Sequence, residues 1–512
     1  MTTFDRALRT GAALAAALAL GCATTEAATP PQATAPAMEK PAAPAPAPAA
    51  PVTPDAAFRA QKPAPLPMMP SFDPPVPVVK TLKNGTEIWV IENPAVPLVA
   101  VEVVIRHGVD AEPIAKAGLA DLTVNLLDEG TKTRSAAKLA EAIEDLAMEL
   151  NASTGREDIR VHMSTLSETL PQSLDLMADV LLNPAFQPED VDRVKALKLT
   201  GLEQKKGVPY ALAADEMGRL LFGAKHPWGQ PDGGTVETVR SITQADLRKF
   251  HDTWFRPNNA LIVVSGDVKA DQMVKLLDER LGGWKAKPLP KLSLPQWPEL
   301  KARTVTFVEK PNTTQSQVWV AGRVMPAKDP DAVILRTINF ALGGLFTSRL
   351  NMNLRENKGY SYGVFIRVDC AKTFGTMVAS GGIVAKNTAD ALKEYEYELD
   401  RFVQSGITEE ELARSKTAII RTLPSRLETN DAMASAYASA AFYELGPDYY
   451  KTLAGRVTAI TLADAARVAK GVAAATWPII VVGPAENVDK VKDLKLGPVE
   501  VKGISGAPAG AK

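Results

Sequence analysis

The sequence predicts a mixed α/β (α+β) fold made of two similar domains within one chain of 512 residues. Two segments about 218 positions apart carry the same pattern, in which a polar helix start precedes an apolar strand. Residues 241–246 lead to 260–266 in the first segment, and 459–464 lead to 478–483 in the second. Solenoid repeats recur every ~20–50 residues, so a single repeat of this length indicates a duplicated domain.

Each predicted domain begins with apolar, β-branched stretches that are typical of strands and continues into helices. A segment rich in Pro, with two Trp, separates the two domains and reads as a linker. The strands are predicted at 86–91 and 99–105 in the first domain, and at 305–308 and 317–320 in the second. The predicted organisation is a signal peptide (1–22), an Ala/Pro-rich tether (23–75), a first domain (76–283), a linker (284–300), a second domain (301–490) and a tail (491–512).

The N-terminus reads as a targeting segment. Arg6 and Arg9 precede a short apolar stretch, 11–20, which is too short to span a bilayer. The residues Ala-Leu-Gly-Cys that end at Cys22 resemble the lipobox of bacterial lipoproteins, in which the Cys becomes lipidated; an ordinary signal peptide is the alternative. The tether that follows cannot bury a core and suits a spacer between a membrane anchor and a folded domain. We expect a periplasm-facing lipoprotein of the bacterial cell envelope, held in the outer membrane.

The charge and the cysteine content argue against nucleic-acid binding and against an intrachain disulfide. The net charge is −1 and there is no long basic run, so the chain has no electrostatic footprint for nucleic acid and we expect no such partner. Cys370 is the only cysteine besides Cys22. If Cys22 is acylated, no intrachain disulfide forms, and Cys370 is expected to be a small buried hydrophobe.

Residues 118–131 carry the most informative pattern of the chain. Leu119, Leu122 and Leu126 recur at helical spacing and predict an amphipathic helix with one buried face. Asp121 and Asn125 are four positions apart and are therefore predicted to share another face.

This stretch resembles the zinc helix of the pitrilysin/insulinase metallopeptidases, the M16 family, which reads Gly-Leu-Ala-His-x-x-Glu-His and then Gly-Thr. The frame residues 118–120 and 129–131 match it. The resemblance places the first His ligand at Asp121, the catalytic Glu at Val124 and the second His at Asn125. Asp121 offers one oxygen, Asn125 offers only an amide oxygen, and Val124 has no titratable group to act as a base.

The third zinc ligand of the family, a Glu roughly 76 residues beyond the second His, has no match on the required helix face. That count falls on Gly201 or Leu202, and Glu203 is close but turned away. None of the four His has a His partner at i+4, and no HExxH or HxxEH string occurs. We therefore expect no metal and no cofactor in this chain.

The resemblance also implies the architecture and covers about residues 76–485. Members of the family carry two similar α/β domains (LuxS/MPP-like), each a mainly antiparallel sheet with helices, and the two domains enclose a cavity. This chain is similar to the M16B-like, inactive subunit type, which lacks the zinc motif.

The second domain retains a different motif of the family. Residues 342–350 and 354–363 resemble "GG-x-x-S-S-R-L … L-R-E-x-x-G-x-x-Y". In active relatives an Arg and a Tyr seven apart in this motif hold the substrate backbone and help to stabilise the oxyanion. Arg355 and Tyr362 have that spacing, and both side chains donate hydrogen bonds of the kind that lowers such a barrier. The structural alternative is that Arg355 caps a helix end and Tyr362 packs in a strand.

Three functions fit these observations. The leading hypothesis is a non-catalytic subunit that binds peptide and supplies Arg355 and Tyr362 to a zinc-bearing M16 partner, or to a second copy of itself. In that case zinc is expected only in the partner, and the lipid on Cys22 attaches the complex to the membrane. The second hypothesis is a structural envelope protein that uses the fold without binding peptide. The third is an active zinc metalloendopeptidase with a divergent site.

Overall fold

The computed structural model describes residues 72–504. Cys22, the signal peptide and most of the predicted tether lie outside the described residues, so the predicted lipidation stays a prediction. Within 72–504, no helix combines the length and the apolar character needed to cross a bilayer.

The first half contains six strands and eight helices within the described residues. The strands are β1 (Val78–Thr81), β2 (Glu87–Glu92), β3 (Leu98–Ile105), β4 (Glu149–Thr154), β5 (Ile159–Leu166) and β6 (Ala260–Gly266). The helices are α1 (Leu119–Val124), α2 (Ala136–Asp145), α3 (Leu170–Leu182), α4 (Pro188–Lys205), α5 (Pro209–Phe222), α6 (Val236–Ser241), α7 (Gln244–Trp254) and α8 (Ala270–Leu281).

The second half repeats this order. Its strands are β7 (Val305–Glu309), β8 (Gln315–Val324), β9 (Ser361–Cys370), β10 (Gly375–Val384), β11 (Ile479–Gly483) and β12 (Val499–Gly503). Its helices are α9 (Ala332–Asn339), α10 (Arg349–Asn351), α11 (Thr388–Ser405), α12 (Glu409–Arg426), α13 (Asn430–Phe442), α14 (Tyr449–Ala459), α15 (Leu462–Lys470) and α16 (Val488–Lys492). Every element from β2 to α8 has a counterpart in the same order from β7 to α16, which confirms the predicted duplication.

Each half folds around one six-stranded sheet. The strand order is β1-β2-β6-β3-β5-β4 in the first sheet and β12-β7-β11-β8-β10-β9 in the second. Only the β2–β6 pairing is parallel in the first sheet, whereas β7 pairs in parallel with both β11 and β12 in the second. The predicted mainly antiparallel sheets with helices are therefore confirmed. β4 and β9 occupy equivalent edges of the two sheets.

The C-terminal region corrects the predicted tail of 491–512. Residues Val499–Gly503 form β12 and pair with β7 from Val305 to Glu309. Val499 and Val501 are only half-buried. Two alternating valines are too short a pattern to predict a strand from the sequence. At the other end, the hydroxyl of Tyr437 donates a hydrogen bond to the Pro75 carbonyl, so the last residue assigned to the tether contacts the folded part.

The two halves exchange equivalent helices. α5 of the first half packs on β8 and β11 of the second sheet, and its counterpart α13 packs on β3 and β6 of the first sheet. Because side chains alternate along a strand, β2 sends Ile88 and Val90 into the core of the first half. Trp89 and Ile91 point the other way, into the core shared with the second half. Each sheet is thus covered on one face by its own helices and on the other by the opposite half.

A charged cluster crosses the junction between the halves. Nδ1 of His162 on β5 lies 2.8 Å from the Glu102 carboxylate, and its Nε2 lies 3.0 Å from Asp431 on α13. Burial lowers the pKa of His162, but the hydrogen bonds with Asp431 and Glu102 outweigh it and raise the pKa to about 9. The protonated imidazole therefore links the two halves at neutral pH.

Candidate functional site

The helix that carries the degenerate motif is shorter than the sequence predicts. α1 spans only Leu119–Val124, although Leu119, Leu122 and Leu126 are all buried as expected. Gly118 begins it with a φ of +93°, and a Cβ there would lie 2.5 Å from the Gly233 carbonyl oxygen. Glycine is therefore required at this position for both conformation and space.

Glu112 fixes the N-terminus of α1. Its carboxylate accepts hydrogen bonds from the backbone N–H groups of Gly118 (3.0 Å) and Ala120 (2.5 Å), which have no partner inside the helix. Burial raises the pKa of Glu112 to about 7, although these two hydrogen bonds oppose the shift. A buried carboxyl thus holds the helix in place beside the position of the first expected zinc ligand.

Asp121 forms an ion pair with Lys198. The Nζ atom of Lys198, on α4, lies 2.6 Å from Oδ2 of Asp121. The same oxygen accepts a hydrogen bond of 3.1 Å from Nδ2 of Asn125, so Asp121 and Asn125 share a helix face as predicted. Nζ also lies against the backbone of Gly233, where a Cβ would come within 2.3 Å. The site therefore contains a positive charge supplied by the chain.

Val124, where the resemblance places the catalytic Glu, belongs to the hydrophobic core. Its side chain is 3% exposed and packs in the core cluster of the first half. A carboxylate at this position would have to be buried without a partner or turn the helix. The substitution therefore removes the base and also stabilises the packing of α1.

The positions of the third ligand offer no metal donor either. Leu202 is buried in the core of the first half, and Gly201 has no side chain. The carboxylate of Glu203 lies 2.7 Å from Nζ of Lys206 on the exposed side of α4. The residue of α4 that reaches α1 is instead Lys198, one turn earlier.

The donor set at this site does not fit a zinc ion. A catalytic zinc needs three protein ligands from His, Cys or carboxylate, and here the one carboxylate is paired with an ammonium group. Across residues 72–504, no group of three or more His, Cys, Asp or Glu side chains is arranged to hold a metal ion. No step of zinc chemistry is therefore assigned to this chain.

Arg355 lies in a π-helical turn, Met352–Asn357, that continues α10. Its guanidinium stacks on the Phe346 ring, 4.5 Å from the ring centre, and its Nε lies 3.2 Å from the Glu356 carboxylate. The side chain is 39% exposed. It is therefore accessible, and neither neighbour uses all five guanidinium donors.

Tyr362 lies on the edge strand β9 and is 85% exposed. The structural alternative, in which this side chain packs in a strand, does not hold. No hydrogen bond or ion pair within the described residues joins Tyr362 to Arg355. Their predicted role in holding substrate stays a prediction.

Lys198 is the residue of the site that the sequence did not reveal. It is separated from Asp121 by 77 positions, and a lysine on an amphipathic helix reads as a solvated side chain. The only available signal was that Asp121 replaces a neutral His and needs a counter-charge once it is partly buried.

Two sequence-family models match the chain and together span more than half of it. The model described as Insulinase (Peptidase family M16) matches residues 87–211, and the model described as Peptidase M16 inactive domain matches residues 241–419. The chain therefore belongs to the M16 peptidase family.

Individual relatives agree with this family. The chain is 29% identical over 344 residues to an uncharacterized zinc protease of Mycobacterium leprae, covering 66% of this chain and 76% of the relative. It is 27% identical over 387 residues to the non-peptidase homolog YmxG of Helicobacter pylori, covering 74% and 88%. A crystal structure of a peptidase M16 inactive domain from Pseudomonas fluorescens superposes with a TM-score of 0.75 at 21% identity, covering 80% of this chain and 98% of that one. These matches support the inactive M16 type.

Proposed function

We propose that this chain is a non-catalytic M16 subunit that binds peptide and completes the active site of a zinc-bearing M16 partner. The observation that carries the proposal is the contrast between the halves. The metal position of the first half is filled by the Asp121–Lys198 ion pair, whereas Arg355 and Tyr362 of the second half remain accessible. Zinc would then be held by the partner only.

Peptide binding is supported by the edge strand beside α1. β4 pairs on one side with β5, and α1 lies close to it. An edge strand presents unpaired N–H and C=O groups along its free side, to which an extended peptide can add as a further strand. A peptide held on β4 would pass the Asp121–Lys198 pair without meeting a metal ion.

The proposal includes the location of the protein. A lipid on Cys22 and the Ala/Pro-rich tether would attach the subunit to the outer membrane, facing the periplasm. Replacing Cys22 by Ser should release the folded chain into the soluble envelope fraction. If the purified Cys22→Ser chain bound lipid vesicles as well as the unmodified chain does, the lipid anchor would be contradicted.

The test of the function is cleavage of an unstructured peptide by the organism's own zinc-bearing M16 protein, with and without this chain. The chain alone should show no cleavage, and the mixture should cleave faster than the partner alone. Association without any gain in activity would favour the second candidate, a structural envelope protein. That candidate is favoured by the absence, within residues 72–504, of a hydrogen bond or ion pair between Arg355 and Tyr362.

A further inference from the structure

The second half contains a cavity that the proposed function does not use. It has a volume of about 820 Å³ and lies where the halves meet, with Gly155, Arg156 and Asp158 on the first-half side. The remaining walls come from α9, β9, α12, α13 and α14 of the second half. These elements are the counterparts of α1, β4, α4, α5 and α6, so the cavity is the second-half equivalent of the Asp121–Lys198 site.

The wall of the cavity combines apolar side chains with three tyrosines. Aliphatic residues such as Ile419 and Leu453 line it beside Tyr443, Tyr449 and Tyr450. A cavity of this size that combines apolar side chains with convergent polar groups is a candidate site for a small organic ligand.

Arg336 is one of four arginines that line the cavity. It lies on α9, and its guanidinium donates to the carbonyl oxygen of Cys370 (3.2 Å) and to the hydroxyl of Tyr449 (3.5 Å). Both partners are neutral acceptors, because one is a backbone carbonyl oxygen and the other is a phenol hydroxyl. Among residues 72–504, no carboxylate lies within 4 Å of Arg336.

The acidic residues that line the cavity are already paired. Asp369 lies 2.6 Å from the guanidinium of Arg367, and Asp158 lies 2.8 Å from that of Arg160. Arg336 therefore has no carboxylate partner within the described residues, in a cavity lined by both polar and apolar side chains. A partly buried charge without a partner is costly, and a carboxylate that accepts from the guanidinium removes that cost.

Two further arginines that line the cavity, Arg156 and Arg426, form no ion pair within residues 72–504 and strengthen this charge imbalance. The guanidinium of Arg156 lies over the rings of Phe222 and Phe374, at 5.3 and 5.9 Å from their centres, and contacts no carboxylate within 4 Å in the described part of the chain. The arginines that line the cavity thus outnumber its carboxylates, and polar side chains share its wall with aromatic and aliphatic ones.

We infer that this cavity is a binding site for a carboxylate joined to an apolar body, with Arg336 as the residue that binds the carboxylate. Two sources share this chemistry, namely the free C-terminus of a peptide that ends in apolar residues and a medium-chain fatty acid. The inference does not rest on peptide binding at β4 or on a zinc-bearing partner.

The test is isothermal titration calorimetry of the full chain with two pairs of probes. The first pair is a hexapeptide of alanines ending in two leucines, as the free acid and as the C-terminal amide. The second pair is decanoate and decanol. At least one acid should bind about tenfold or more tightly than its neutral analogue, because a charge-assisted bidentate pair is lost in the analogue. The acid that binds identifies the source.

Variants separate ligand binding from a structural role of Arg336. Arg336→Met should remove the preference for the acid, whereas the matched control Arg414→Met, an exposed arginine on α12 outside the cavity, should retain it. Ile419→Trp reduces the volume of the cavity from a second wall and should weaken binding while thermal unfolding shows an intact fold. Equal binding of acid and neutral analogue, no binding of either acid, or an acid preference that survives Arg336→Met would each overturn the inference.

Discussion

Nζ of Lys198 lies 2.6 Å from Oδ2 of Asp121, so the ammonium group of one helix neutralises the carboxylate of another at the position of the first expected zinc ligand. Lysine carries a compact charge with three donors, and Asn125 satisfies the same carboxylate oxygen from within α1. A metal ion would have to displace this ammonium before it gained a single anionic ligand. The donor set of the first half therefore does not fit a zinc ion.

The Asp121–Lys198 pair should show a measurable coupling energy. Both side chains are about one-quarter exposed, so a double-mutant cycle of Asp121→Asn and Lys198→Ala should give about 0.5–1 kcal/mol by denaturant unfolding. The matched cycle of Glu203→Gln and Lys206→Ala, an exposed i,i+3 pair, should give less than about 0.5 kcal/mol. Equal coupling in both cycles would show that Lys198 is only a solvated side chain.

His162 should make stability fall at alkaline pH. Its folded pKa of about 9 lies above the ordinary value of 6.5, so its contribution is complete below pH 6.5 and is lost as pH rises through 9. The loss should be on the order of 2–3 kcal/mol in the free energy of unfolding. Asp431→Asn should flatten this decline, while Asp493→Asn, an exposed residue outside any ion pair within 72–504, should not. A decline of the same size in Asp431→Asn would contradict the assignment.

Glu112 should produce a second decline at lower pH. Its folded pKa of about 7 is raised above the ordinary 4.5 by burial, so its contribution is complete below pH 4.5 and is lost as pH rises through 7. Glu112→Gln cannot ionise. The stability difference between Glu112→Gln and the wild type should therefore shift in favour of the variant by about 3 kcal/mol between pH 4 and pH 8. A difference that does not change with pH would show that the carboxyl is not buried as described.

Arg355 and Tyr362 should matter to the activity of the complex and not to the fold. Both are accessible, so Arg355→Ala and Tyr362→Phe should change the free energy of unfolding by less than about 0.5 kcal/mol. Loss of one oxyanion donor typically lowers turnover about a hundredfold or more. Each variant should therefore reduce peptide cleavage by the mixed subunits, with association checked by gel filtration. Phe365→Ala, which removes another exposed aromatic residue of β9, serves as the control.

The duplication could be predicted because both copies carry the same local sequence pattern. Thr243 and Thr461 begin α7 and α15, and each forms a capping box with an Asp three residues later, Asp246 and Asp464. These boxes and the apolar strands that follow them are readable without knowledge of tertiary contacts. The family resemblance likewise rests on a local pattern, the frame around the altered motif positions on α1, and could therefore be recognised from the sequence.

The remaining features depend on contacts between distant segments. Nothing in the local pattern of α5 or α13 shows that each packs on the sheet of the opposite half, since an amphipathic helix looks the same on either sheet. The roles of Lys198 and Arg336 depend on their neighbours in the fold. Lys198 lies beside the Asp121 carboxylate, whereas Arg336 has no carboxylate partner within residues 72–504. The sequence predicts a tail where β12 forms, because two alternating valines, Val499 and Val501, are too short a pattern to indicate a strand.

The most direct test of the account is elemental analysis of the purified chain after dialysis against a weak chelator. Asp121 is paired with Lys198, and Val124 and Leu202 supply no ligand, so the zinc content should be far below one atom per chain. Zinc retained at one atom per chain, and lost in Asp121→Ala, would show instead that the first half binds a metal ion through Asp121.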